Sequence, residues 1–490
     1  MRGRRRTWGA AVAVVLAVTG AMTVPTAAQA RSAAVEPEDD FNGDGYADLA
    51  VAAPSATVAG KAKAGYVAVL YGTPKGLATT GRKVFTQNSA GVPGAAEAGD
   101  RFGSALTTAD LDRDGYTDLV VGVAGEDTGT GKDAGYLEVL WGGPKGLSGA
   151  AALAGGLRVG DGLGAAGRLT AADVDGDGAT DLITVTNAHD LRVLKGPFKR
   201  TGAASGTQNV TDRYDSRILD LAVGDLNGDG RTDVVAAANS AEEFDSRRIQ
   251  YWYGTDQGVS PYFTLVYDID GAGMQGGENL AVGDVDRDGY ADIVVGRAVD
   301  GYDSDHDSYR AKGGSVTFVP GTAEGPVGVE AVAFNQDAPG VPGTAEKGDR
   351  FGTDVQLGDV DGDGYLDVVT GAPGEDLGRI AEAGMVVALR GTGDGLTADG
   401  SLAISQNTAS VPGVAEKGDL FGRAVHLGDF NGDGRSDLAV GAPGENANAG
   451  GVWAFPATSD GITAKGSFTF GAGTLGTSAT NALLGTGFTY

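Results

Sequence analysis

Hydrophobic residues along this chain fall in short alternating runs separated by glycine. The clearest series is GYVAVLYG from Gly65, GYLEVLWG from Gly135, RIQYWYG from Arg248, GSVTFVPG from Gly314, GMVVALRG from Gly384 and GVWAFPA from Gly451, with a shorter LRVLKG from Leu191. Period-two alternation bounded by glycine predicts antiparallel strands, and no segment shows a convincing helical period. An apolar run precedes each of these, as in Leu49 to Ala52 and Leu438 to Val440. Another follows most of them: KVFTQ from Lys83, YFTLVY from Tyr262, SLAISQ from Ser401 and SFTF from Ser467. A fourth run opens the unit. It reads RFGSALTTAD to Asp110, GLGAAGRLTAAD to Asp173, RFGTDVQLGD to Asp359 and LFGRAVHLGD to Asp429, shortened to LDLAVGD at Asp225 and ENLAVGD at Asp284.

The polar punctuation is as regular. The string D-x-[DN]-x-D-G-x-x-D begins at Asp40, Asp110, Asp173, Asp225, Asp284, Asp359 and Asp429, at intervals of 70, 63, 52, 59, 75 and 70 residues. Four strands and one acidic loop thus recur about every 65 residues. The first copy lacks its opening strand, and ALLGTGFTY from Ala482 offers a replacement, with Leu484-Gly485 in place of Phe-Gly and Phe488 as the following apolar residue. A last strand that completes the first sheet closes a ring and removes exposed sheet edges. The expectation is an all-β chain: a seven-bladed β-propeller of four-stranded antiparallel blades, one domain over residues 31–490.

The acidic string suits calcium, a hard cation that takes six to eight oxygens. Positions 1, 3, 5 and 9 offer side-chain oxygens, position 6 is the glycine of a sharp turn, and position 7 offers its carbonyl. The candidate ligands are Asp40, Asn42, Asp44, Tyr46 and Asp48; Asp110, Asp112, Asp114, Tyr116 and Asp118; Asp173, Asp175, Asp177, Ala179 and Asp181; and Asp225, Asn227, Asp229, Arg231 and Asp233. The later repeats supply Asp284, Asp286, Asp288, Tyr290 and Asp292; Asp359, Asp361, Asp363, Tyr365 and Asp367; and Asp429, Asn431, Asp433, Arg435 and Asp437. Up to seven Ca2+ ions are expected. Position 12 is apolar (Val51, Val121, Val440) where an EF-hand has glutamate, so the loop should sit in a β-hairpin. A plain Asp-Gly turn explains one such loop but not seven with this many carboxylates. Magnesium fits less well, because it demands stricter octahedral geometry.

Composition gives the acid a purpose. The chain of 490 residues has 85 glycines, no cysteine, three histidines and a formal charge of -28. Such a charge disfavours nucleic acid. Absence of cysteine excludes disulfides and thiolate sites, so stability must come from another staple, for which calcium is the candidate, or from a large core. Arg2, Arg4, Arg5 and Arg6, an apolar stretch from Ala10 to Val18 and Ala28-Gln29-Ala30 read as a signal peptide, residues 1–30, cleaved after Ala30. The mature protein is expected outside the cell as a monomer with no membrane span.

The elements Phe102-Gly103, Phe351-Gly352 and Phe421-Gly422, with Gly371-Ala372-Pro373, Gly441-Ala442-Pro443 and the near match Ala52-Ala53-Pro54, resemble the FG-GAP repeats of integrin α-subunit propellers and their bacterial secreted relatives. The resemblance covers residues 40–490. It implies a seven-bladed propeller with calcium in the loops of several blades. The expected function is extracellular recognition or adhesion, with an unidentified protein or glycan as partner. The alternative is a secreted hydrolase or lyase on polysaccharide or phosphodiester, for which no nucleophile or acid–base motif is present.

Other features read as structural. The connections QNSAGVPGAAEAGDRFG from Gln87, NQDAPGVPGTAEKGDRFG from Asn335 and QNTASVPGVAEKGDLFG from Gln406 are expected to be spacers between blades. Glu126, Glu375 and Glu445 are expected as solvated turn residues, Trp141, Trp252, Trp453 and Tyr136 as core, His426 as structural, and His306 as part of an exposed polar loop.

Overall fold

Seven four-stranded antiparallel sheets hold the alternating runs, in a computed structural model that describes residues 39–212, 214, 216–239, 247–303, 308, 309 and 311–489. The predicted signal peptide and His306 lie outside the described residues. The second blade shows the plan: Phe102–Ala109, Asp118–Val123, Tyr136–Leu140 and Ala150–Gly155 pair in chain order. Leu106 faces Val121, Val121 faces Glu138 and Glu138 faces Ala152. The opening strands line the axis. Phe102–Ala109, Leu169–Ala172, Arg217–Gly224, Asn279–Gly283, Val355–Gly358, Ala424–Gly428 and Gly487–Phe488 each touch the next, and the last touches the first.

Second strands are covered on both faces by adjoining blades, which is why they are apolar without alternation. Leu49–Ala53, Asp118–Val123, Asp181–Thr186 and Asp367–Ala372 are buried throughout. The core is divided into seven clusters, each between two blades. Val67 and Val69 of the first blade, for instance, meet Phe102, Leu119 and Val121 of the second.

The two glycines of the motifs meet at these junctions. A Cβ on Gly371 would lie 1.8 Å from the carbonyl oxygen of Gly422, and one on Gly441 would lie 2.0 Å from that of Gly485. Gly422 itself has φ +86°, a left-handed conformation that favours glycine. The turn of one blade therefore abuts the Phe-Gly of the next, backbone against backbone.

Ring closure follows the expected register. Val51 faces Phe488 and Ala52 faces Gly487. Asp39 carries the strand position just before the first loop, its carbonyl accepting from the N–H of Asp48 at 2.9 Å. Its buried carboxylate receives Thr108 Oγ1, Thr489 Oγ1 at 3.1 Å and His426 Nε2 at 3.0 Å. Blades one, two and seven are tied at this one side chain, and His426 is structural as expected. Burial would raise the Asp39 pKa, but the His426 contacts and the two hydroxyls bring it below the usual value.

Two expectations change. Glu126, Glu375 and Glu445 are not solvated turn residues. They are half-buried and accept 2.7 Å hydrogen bonds from Gln87, Gln336 and Gln406, so they brace the long connections from within. Small hairpins not foreseen, Gly254–Thr255 with Gly258–Val259 and Ala457–Thr458 with Gly461–Ile462, project beyond the fourth and seventh sheets. Trp141, Trp252 and Trp453 are core residues as expected.

Candidate functional site

From the second blade on, each acidic loop joins the opening strand of its blade to the second strand, so it is the turn of a β-hairpin. Ala109 pairs with Asp118, Gly224 with Asp233 and Gly358 with Asp367, which brackets the loop in register. The first loop is bracketed instead by Asp39 and Asp48. Within the loop the position 1 carboxylate gathers backbone. Asp40 Oδ1 accepts the Gly43 N–H at 2.6 Å and Asp40 Oδ2 the Gly45 N–H at 2.8 Å; Asp173, Asp359 and Asp429 repeat both bonds.

Position 9 is buried in all seven loops: Asp48, Asp118, Asp181, Asp233, Asp292, Asp367 and Asp437 are 0–2 % exposed. One oxygen accepts the N–H that follows the third strand, as Asp118 Oδ1 does from Gly142 at 2.7 Å and Asp233 Oδ1 from Gly254 at 2.8 Å. In six loops the other oxygen accepts the position 2 N–H, as Asp118 Oδ2 does from Leu111 at 3.0 Å. Burial pushes these carboxyls up against the lowering effect of their backbone donors, to about 8 for Asp48, about 7 for Asp118, Asp292 and Asp437, and about 6 for Asp181, Asp233 and Asp367. Neighbouring loop carboxylates raise them further.

The structure brings positions 1, 3 and 9 together. In Asp110, Asp112 and Asp118; Asp173, Asp175 and Asp181; Asp284, Asp286 and Asp292; and Asp359, Asp361 and Asp367, one oxygen from each residue lies within 4.8 Å of the others. In the remaining loops position 3 is an asparagine, Asn42, Asn227 or Asn431, and Asn431 donates its amide N–H to Asp437 Oδ2 at 3.0 Å. Position 5 is more exposed and turns to its own backbone: Asp288 Oδ1 accepts the Tyr290 N–H and Asp363 Oδ1 the Tyr365 N–H, each at 2.9 Å.

Position 7 has a second use that sequence reading missed. A Cβ on Gly43 would lie 2.7 Å from the Tyr116 ring, and one on Gly432 would lie 2.7 Å from that of Tyr46. Tyr290 lies over Gly228 and Arg435 over Gly362 in the same way, while Arg287 stacks on Tyr365 at 5.8 Å. Backbone bonds reinforce these contacts, from Thr117 N–H to Asp40 O and from Ala47 N–H to Asp429 O. The seven loops thereby form a belt on one end of the ring, each leaning on the one before. The signal was a glycine at position 4 (Gly43, Gly176, Gly228, Gly362 and Gly432) with a large side chain at position 7 of the next loop; the fifth loop departs from it, with Arg287 at position 4 facing Tyr365.

Basic side chains also reach this belt, and sequence reading missed them too. Lys195 Nζ bonds Asp175 Oδ2 at 2.9 Å, Arg390 Nη1 bonds Asp361 Oδ2, and Arg200 Nε bonds Asp112 Oδ2 at 2.5 Å.

The belt fits a hard divalent cation on the donors themselves. All are oxygens, several carboxylates converge, and Asp112 Oδ1 is buried with no hydrogen-bond partner. Like charges at this spacing repel by roughly 3 kcal/mol per pair at an effective dielectric of about 20.

Comparison with known proteins agrees with this geometry. The FG-GAP repeat matches residues 38–70, 102–140, 351–389 and 421–455, and the FG-GAP-like repeat matches 173–236 and 225–295, together more than half of the chain. The chain is 31% identical over 265 residues to integrin alpha pat-2 of Caenorhabditis briggsae, covering 49% of this chain and 20% of that protein. It is 32% identical over 203 residues to phosphatidylinositol-glycan-specific phospholipase D of Rattus norvegicus, covering 40% and 22%. Integrin alpha-8 of Gallus gallus is 28% identical over 277 residues, covering 54% and 23%. The chain thus spans about a fifth of the length of these curated relatives. Repeat by repeat, from the Phe-Gly junctions to the acidic belt, the chain belongs to the FG-GAP repeat family.

Proposed function

We propose that the protein is an exported, calcium-stabilised propeller that acts as a recognition or adhesion module outside the cell. The observation that carries this reading is the belt: seven acidic loops, one per blade, in four of which the position 1, 3 and 9 oxygens converge, while adjoining loops lean on one another. Asp110, Asp112 and Asp118, and their counterparts in the other loops, would hold the ion. When bound it supplies the positive charge that the buried position 9 carboxylates lack. It would fix the blade hairpins in a chain without cysteine.

The arginine-rich leader with its small-x-small site supports export, and the integrin resemblance supports recognition. Propellers present loops around an axis, and such a ring of variable connections suits a protein or glycan surface. A screen of glycans and surface proteins, run with calcium and with chelator, tests the reading. Calcium-dependent capture of a defined ligand supports it. Binding of no member under either condition removes the recognition role and leaves a structural one.

A further inference from the structure

The residue before the glycine or alanine that ends each third strand occupies one place in the fold: Tyr71, Trp141, Lys195, Tyr253, Pro320, Arg390 and Pro456. Only in the third and sixth blades is it basic. There it does two things at once. Lys195 Nζ bonds Asp175 Oδ2 at 2.9 Å and the carbonyl of Gln257 in the next blade's hairpin, also at 2.9 Å. Arg390 Nη1 bonds Asp361 Oδ2 and lies 3.4 Å from Asp367 Oδ2, while Nη2 donates to the carbonyl of Asp460 in the next blade's hairpin at 3.1 Å. Tyr253 makes the same reach without charge, its hydroxyl 3.3 Å from Glu324 O.

Asp175, Asp361 and Asp367 are members of the converging triads. A side-chain cation therefore stands among the oxygens that would surround an ion, fastened at its far side to a neighbouring blade. In the fifth blade the equivalent residue is Pro320, and among the described residues no basic group is recorded on the fully acidic triad Asp284, Asp286 and Asp292. Arg200, which reaches Asp112 and Asp114, differs: its side chain is 49% exposed against 23% for Lys195 and 19% for Arg390. It has room to swing away.

We propose that Lys195 and Arg390 are built-in cations of the third and sixth loops, so that these two loops bind calcium far more weakly than the other five. The tethered charge balances the extra carboxylate at position 3 and bridges two blades, and an incoming dication must displace it. The inference rests on the calcium reading above.

The test is calcium uptake by the chelator-treated full chain, measured by titration calorimetry and by metal analysis after dialysis. Wild type is expected to take up about five tight ions. Lys195→Met and Arg390→Met should each tighten one further site, on the order of tenfold or more, and the double variant should approach seven. In chelator each variant should melt below wild type, because a strap is lost, and calcium should restore more of its stability. If Arg390→Met does not fold, Arg390→Gln removes the charge with less change of shape. Seven equivalent tight ions in wild type, or variants with unchanged stoichiometry and affinity, overturn the proposal while leaving calcium binding intact. Uptake of no calcium by any form overturns both.

Discussion

Phe488 lies two residues before the end of the chain yet is 1% exposed. It packs with Leu49, Val51, Leu70, Phe430 and Leu484, and its ring is 6.1 Å from that of His426. Those neighbours come from blades one and seven, so the side chain is the apolar part of the ring closure. Phe488→Ala removes its transfer energy and leaves a cavity the rigid strands cannot fill, at a cost of about 3–5 kcal/mol. Unfolding entropy near 2 cal/mol/K per residue gives roughly 1 kcal/mol/K for a ring of this size. If the ring melts as one unit, Tm should fall by about 3–5 °C in differential scanning calorimetry. Val414→Ala, at a residue 67% exposed, should shift it by less than about 1 °C. If Phe488→Ala melts together with wild type, the terminal strand does not close the first blade and the closure argument fails.

Other consequences follow from single residues. Gly371→Ala places a Cβ 1.8 Å from Gly422 O, so it should force blades six and seven apart and lower stability by about 2 kcal/mol or more, read by urea titration. Glu138 is fully buried with no partner for either carboxylate oxygen, and burial pushes it up to about 8 from 4.5. Between those values the native state holds a proton that the unfolded chain releases, so stability should fall as pH rises from about 4.5 to about 8. Glu138→Gln should match wild type below about pH 4.5 and exceed it by roughly 5 kcal/mol above pH 8, measured by melting across pH; parallel curves would refute the assignment. Asp39→Asn should cost about 2–4 kcal/mol at neutral pH. Because the Asp39 pKa is lowered in the fold, that gap should narrow as pH falls below the unfolded value of 3.8.

The repeat made the fold legible. Seven copies of one acidic string and the Leu484-Gly485 echo of Phe-Gly were enough to place the blades and their closure, because strand period and turn chemistry are local. The loop carboxylates were legible for the same reason. What sits around them was not. Lys195 and Arg390 reach their loops only after a third strand has turned back beside the first two, and Tyr116 meets Gly43 across a blade junction. The Gln336–Glu375 brace spans 39 residues and recurs at the same separation twice more, a spacing that was visible in the sequence but had no local pattern to give it meaning.

The central claim is that divalent ions in the acidic belt hold the ring together. The direct measurement is the melting temperature of the full chain in millimolar calcium and in excess chelator. Each site filled at a hundredfold over its dissociation constant adds about 2.7 kcal/mol, so five such sites correspond to roughly 10 °C or more. A fall of that size on chelation, restored by calcium and poorly by magnesium, is the predicted result. A melting temperature that does not move between the two buffers would contradict the account.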